Sequence, residues 1–76
     1  MEFRKIKEII GNVLSISPES LTDKTRLTED LGADSLELFE ILLLLEKTFD
    51  IEINPESFSQ AQTVGDIKAY VATDHA

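Results

Sequence analysis

The sequence predicts an all-α fold in a single domain spanning residues 1–76. Three observations lead there. Three segments repeat apolar residues at three- and four-residue steps, which lines one face of a helix. Asp34, followed by Glu37 three residues on, is a helix-start signature. A chain of 76 residues has no room for a second domain.

The first helix is expected over about residues 3–14, where Phe3, Ile6, Ile10 and Val13 share a face. Gly11 reads either as an interior weakness or as a sign of an early end. Residues 15–34 form a connection longer than most in compact domains. Leu21, Leu27 and Leu31 are spaced to pin it to the core, and Pro18 to Leu21 suits a short helical turn. The second helix is expected over 35–49, with Asp34 as N-cap, Glu37 completing a capping box and Gly32 letting the chain turn before it. It should end near Asp50, because Ile51 to Pro55 reads as extended. A short third helix fits 55–59, with Pro55 at its first position. The last fits 63–73, with Thr63 as N-cap, Asp66 in its first turn and Val64, Ile67, Tyr70 and Val71 as the buried stripe. The tail, Asp74 to Ala76, should fray.

The second helix carries two apolar stripes. At about 100° per residue, Leu38, Ile41, Leu42, Leu45 and Phe49 fall within one sector, the core face. Leu36, Phe39 and Leu43 fall roughly opposite, bordered by Glu40, Glu46 and Lys47. That second stripe is either buried all round, as in a central helix, or exposed as a face for partners. A chain this small has few elements to cover it. Leu44 points a third way and suits packing against the loop or the first helix.

Composition removes most function classes. Fifteen acidic residues against seven basic ones give a net charge of −8, so nucleic acid is repelled and basic protein surfaces are favoured. There is no cysteine for a nucleophile or metal site, and the one histidine, His75, lies in the tail. The longest apolar run, Ile41 to Leu45, is too short to insert in a membrane, and the N-terminus lacks a signal peptide's apolar region. A cytoplasmic protein is the expectation. Ser35 does not fit a hydrolase nucleophile elbow, since Ala33 and Glu37 stand where glycines belong and no base is near. Asp30, Gly32 and Asp34 do not have calcium-loop spacing, so no metal site is expected. By position alone Ser35 is a polar residue at a helix start, where free N–H groups would favour an attached phosphate.

The run Glu29-Asp30-Leu31-Gly32-Ala33-Asp34-Ser35-Leu36-Glu37 resembles the prosthetic-group attachment motif of acyl carrier proteins. The likeness extends through Glu40, Leu45-Glu46, Phe49-Asp50, Glu52-Ile53, Thr63-Val64 and Tyr70, and so covers nearly the whole chain. It implies a small antiparallel four-helix bundle with a long first loop and a short third helix. It implies a non-catalytic carrier, esterified at Ser35 by 4′-phosphopantetheine from coenzyme A, with Asp34 flanking the attachment site. A phosphopantetheinyl transferase would modify it, and acyl-processing enzymes with basic patches would dock on Leu36, Glu37, Phe39, Glu40, Leu43 and Glu46. A monomer is expected. The family's acyl chain can retreat beside the second helix, where Leu38, Leu45, Phe49 and Phe58 would line its space unless they simply fill the core.

The sequence departs from the family pattern at Lys47, which interrupts the acidic stripe, and at Leu38 and Phe39, which are larger than usual there. Fatty acid synthesis is the first reading of its role. A carrier for a polyketide, nonribosomal peptide or unusual lipid is the second. An unmodified acidic interaction module is the alternative of another class.

Overall fold

The computed structural model describes residues 2–74. Helix α1 (Glu2–Leu14) buries Ile6, Ile9 and Ile10, while Phe3 and Val13 at its ends are only half covered. Ile9 was not part of the expected stripe; standing three residues after Ile6, it widens that stripe rather than leaving it. Fully burying such a side chain contributes about 1.5–3 kcal/mol. Gly11 proves to be neither a weakness nor an end. The chain folds back against it: the Ile16 N–H donates to the Gly11 carbonyl at 2.9 Å, and a Cβ on Gly11 would stand 2.5 Å from the Ile16 carbonyl oxygen. Helix α1 ends three residues later, where Ser15 turns left-handed at φ 60°.

The long connection is pinned as its leucines suggest. Pro18–Ser20 forms one 3-10 turn, Leu21 and Leu27 are buried, and Leu31 is half buried. Backbone bonds then fasten the connection to the start of the last helix. The Leu27 N–H donates to the Gln62 carbonyl (2.9 Å), and the Val64 N–H donates to the Thr25 carbonyl (3.0 Å). Leu27 and Val64 are buried, and their N–H groups would otherwise be orphaned.

Helix α2 (Ser35–Phe49) begins on the expected capping box. The Asp34 carboxylate accepts from the Glu37 N–H at 2.8 Å, and the Glu37 carboxylate accepts from the Asp34 N–H at 3.1 Å. It ends at Asp50, left-handed at φ 57°. Glu46 then reaches forward, and its carboxylate accepts from the Ile53 N–H at 2.7 Å, holding the extended piece that follows. Helix α3 (Pro55–Phe58) stops one residue short of the expected end. Its cap is Asn54, whose Oδ1 accepts from the N–H groups of Glu56 and Ser57.

Helix α4 (Val64–Asp74) is capped by Thr63, whose hydroxyl accepts from the Asp66 N–H at 3.0 Å. The Asp66 carboxylate accepts from the N–H groups of Gln62 and Thr63. Those two bonds hold its pKa below the ordinary aspartate value. Val64, Ile67 and Val71 are buried, and Tyr70 is half buried. The Tyr70 hydroxyl accepts from the Asn54 N–H at 3.1 Å, and its ring meets Phe58 edge-on at 6.4 Å. The four helices share one core, with α1 against α2 and α4, and α3 on α2. Of the tail expected to fray, the backbone of Asp74 continues α4, while His75 and Ala76 lie outside the described residues.

Candidate functional site

The loop before α2 sets the site. Arg26 anchors it: its N–H donates to the Asp30 carboxylate at 2.8 Å, its carbonyl accepts from Asp30 and Leu31, and its guanidinium pairs with Glu29. Gly32 closes this turn with φ 72°, a conformation that costs other residues about 1–2 kcal/mol. Ala33 then plugs into the core, and its N–H donates to the Leu27 carbonyl at 3.0 Å. The next residue is the cap, Asp34, so the chain enters α2 with Ser35 at the first helical position.

Ser35 is exposed, and its hydroxyl has no hydrogen bond among the described residues. The capping box satisfies the Glu37 N–H, and Leu38 bonds back to the Asp34 carbonyl at 2.9 Å. The N–H groups of Ser35 and Leu36 are left without acceptors among the described residues. A nucleophilic oxygen, two free donors and the positive end of a fifteen-residue helix therefore coincide.

Along the outer side of α2, Leu36 is 69% exposed, Phe39 49% and Leu43 47%. The second apolar stripe is thus uncovered. Leu44 departs from expectation: it is 38% exposed rather than packed away, and it lines a groove with Asn12, Val13, Glu40 and Leu43. The acids beside the stripe are unequal. Glu37 is engaged in the capping box and Glu46 in its bond to Ile53. Glu40 is exposed with no partner among the described residues.

A cleft of about 200 Å³ opens beside Ser35, between α2 and α3. Leu38, Phe39, Leu42, Pro55, Phe58 and Ser59 complete its lining. Of the four residues considered for an acyl space, Leu38 and Phe58 are therefore here. Leu45 is fully buried in the core, and Phe49, half buried, does not line the cleft. From Leu38 they lie about two and three helical turns farther along α2. Sequence reasoning placed Leu42 in the core only and passed over Ser59. The signal for Ser59 was its position beside Phe58 at the end of a helix too short to cover α2. Among the described residues, no cluster of three or more His, Asp or Glu side chains could hold a metal, and no helix is long and apolar enough to cross a membrane.

An exposed serine at the first position of a helix is a hydroxyl that another protein can reach. Residues 4–71 match the family of phosphopantetheine attachment sites. The acyl carrier protein of Wolinella succinogenes is 40% identical over 72 residues, 95% of each chain. That of Syntrophobacter fumaroxidans is 42% identical over 95% of this chain and 89% of its own. Among solved structures, one described as an acyl carrier protein from Mycobacterium tuberculosis superposes with a TM-score of 0.88 at 35% identity, covering 95% of this chain and 96% of its own. The acyl carrier protein of Enterococcus faecalis gives 0.80 at 32% identity, covering 99% and 94%.

The chain belongs to the phosphopantetheine-attachment family, as one of its acyl carrier proteins. It is accordingly a non-catalytic carrier, and 4′-phosphopantetheine is its covalent prosthetic group. Acyl carrier proteins interact with a phosphopantetheinyl transferase and with acyl-processing enzymes.

Proposed function

We propose that Ser35 carries the 4′-phosphopantetheine and that the loaded chain delivers acyl groups to cytoplasmic enzymes of fatty acid biosynthesis. One observation carries the assignment: the Ser35 hydroxyl is exposed at the first position of a long helix and, among the described residues, has no hydrogen bond, like the two N–H groups beside it. These features fit the group. The hydroxyl is free to be esterified, and the N–H groups of Ser35 and Leu36 would receive the phosphate oxygens. The arm's terminal thiol supplies what a chain without cysteine lacks, a sulfur on which acyl groups ride as thioesters.

The chain's own residues position and present that arm. Asp34 and Glu37 fix the helix start, so that the Ser35 oxygen projects from a rigid element rather than a loose loop. Leu36, Phe39 and Leu43 give a partner an apolar strip to cover, with Glu40 at its rim. Glu37 and Glu46 add charge to the field around Ser35 while their carboxylates stay engaged in structural bonds. Basic patches on partner enzymes would be steered by this field. Exposed ion pairs are individually weak, which suits a carrier that must be released. The working form is a monomer, because a partner copy on this strip would cover the serine's approach.

A carrier for a specialised pathway is favoured by Leu38, Phe39 and Lys47, which depart from the family pattern beside Ser35 and along the exposed strip. Incubation with coenzyme A, magnesium and a broad-specificity phosphopantetheinyl transferase tests the attachment. Intact-protein mass should rise by one phosphopantetheine on the wild type and not on Ser35→Ala. An unchanged wild-type mass, with a known carrier modified in the same tube, would sink the assignment.

A further inference from the structure

We infer that the groove between α1 and α2 is a second part of the docking surface, and that it takes a partner segment whose apolar side chains stand between a basic residue and an acidic one. The inference rests on the reading of the outer face of α2 as a docking strip and names the partner's chemistry there. It does not depend on what is attached to Ser35.

The outer strip of α2 does not end on its own helix. Leu43 belongs both to the strip and to the groove, whose other lining residues are Glu40 and Leu44 of α2 and Asn12 and Val13 of α1. Leu43 and Leu44 are exposed and Val13 is half buried, so the apolar surface continues from α2 onto α1. The α1 wall brings no charge, since Asn12 and Val13 are both neutral. An apolar side chain seated here is covered by two helices rather than one, and its stabilisation grows with the area removed from water.

Charge fixes what flanks that side chain. Glu40, Leu43, Leu44 and Lys47 stand at i, i+3, i+4 and i+7, on one face of α2. Glu40 lies at one end of this row and Lys47 at the other, about 10 Å apart along the helix axis. Both are exposed, and neither side chain has a hydrogen bond or ion pair among the described residues. Asp50, three residues beyond Lys47, does not pair with it. The place of Lys47 in the last turn suits the negative end of α2, and its ammonium is still free to meet a partner. A wholly basic segment would gain at Glu40 and lose at Lys47. A segment with a cation and an anion about two helical turns apart gains at both. The net charge of −8 favours the first kind of partner and the groove favours the second, which makes the two separable.

Two helix-stabilised peptides serve as probes, titrated into the isotope-labelled unmodified chain and followed by its amide chemical shifts. One carries Arg, two leucines and Glu at positions i, i+3, i+4 and i+7. The other is the same peptide with Arg in place of Glu. Signals of Asn12, Val13 and Leu44 should move with both. The wild type should bind the mixed peptide at least about threefold more tightly than the all-basic one. Lys47→Glu should reverse that order. Leu44→Ala should weaken the mixed peptide by up to about tenfold and leave the order unchanged. Comparing two peptides on one variant cancels any change in the stability of that variant, and melting temperature confirms that each is folded.

A wild type that binds the all-basic peptide as tightly or more tightly overturns the inference, because the overall field would then decide. So does an order that Lys47→Glu leaves unchanged, or a Leu44→Ala chain that binds the mixed peptide as the wild type does. Still signals at Asn12, Val13 and Leu44 with millimolar mixed peptide overturn it as well. The unmodified chain gives the same titrations whether or not Ser35 accepts the arm, so failure of the attachment leaves this inference standing. A wild type that prefers the all-basic peptide, while Glu40→Lys still slows phosphopantetheinylation, overturns this inference and leaves the docking strip in place.

Discussion

Ser35 stands out among the exposed hydroxyls because of what surrounds it, not because of its own chemistry. Asp34 is already used as cap, Glu37 as its reciprocal partner, and the serine is left free between them. Removing the cap should therefore be felt in stability. Asp34→Ala is expected to cost about 1 kcal/mol, or roughly 4–8 °C in Tm for a domain near this size, read by thermal unfolding. The second box, at α4, gives a pH prediction. The Gln62 and Thr63 N–H groups hold the Asp66 carboxyl below its ordinary pKa. Its contribution is thus fully present above the unfolded aspartate value of about 3.9 and is lost as the pH falls through the lower folded value. Wild type should exceed Asp66→Asn in stability at neutral pH, and the gap should narrow in the acid range. A gap independent of pH would show that the carboxylate charge contributes nothing there. Both boxes were legible in the sequence, since a capping residue and its partner three positions on have a local signature. The engagement of Glu46 with the Ile53 N–H was not, because it spans seven residues and depends on how the chain turns at Asp50.

At the scale of elements, α2 serves two surfaces at once. Its inner face builds the core through Ile41, Leu42 and Leu45, and its outer face stays bare at Leu36, Phe39 and Leu43. Helical spacing separated those two stripes, so the exposed strip was legible in the sequence. What it could not show was which acid beside the strip remains available. Glu40 is that residue, and Glu40→Lys should slow phosphopantetheinylation several-fold while changing stability by less than about 0.5 kcal/mol. Modification at the wild-type rate would place docking elsewhere. Helix α1 gives the opposite kind of prediction. Gly11→Ala would drive a Cβ into the Ile16 carbonyl and should destabilise by about 1–3 kcal/mol in denaturant unfolding. The sequence showed only a glycine inside a helix. That a loop returns onto it is a contact between segments, and local propensity does not encode it.

At the scale of the molecule, the acidic excess gives the carrier a long-range field while no single surface pair need be strong. Between about 0.01 M and about 1 M salt the screening length falls from about 30 Å to about 3 Å. The modification rate should fall steeply over that range while the melting temperature changes little; an unchanged rate would argue that contact at the apolar strip, not charge, selects the partner. The helical class and the order of elements were plain in the periodicity. The cleft was only half legible: Leu38 and Phe58 were named for it, but Leu45 and Phe49 were grouped with them because a helical wheel gives a direction and not a depth. Where α3 crosses α2 decides which of those side chains meets a cleft and which meets the core. The attachment of the prosthetic arm at Ser35 is tested most directly by mapping it. Trypsin should release residues 27–47, in which Thr28 and Ser35 are the only hydroxyls. Fragment masses of that peptide, from protein isolated from its own cells, should place one phosphopantetheine on Ser35. The same mass on Thr28, or on a peptide elsewhere in the chain, would contradict the account.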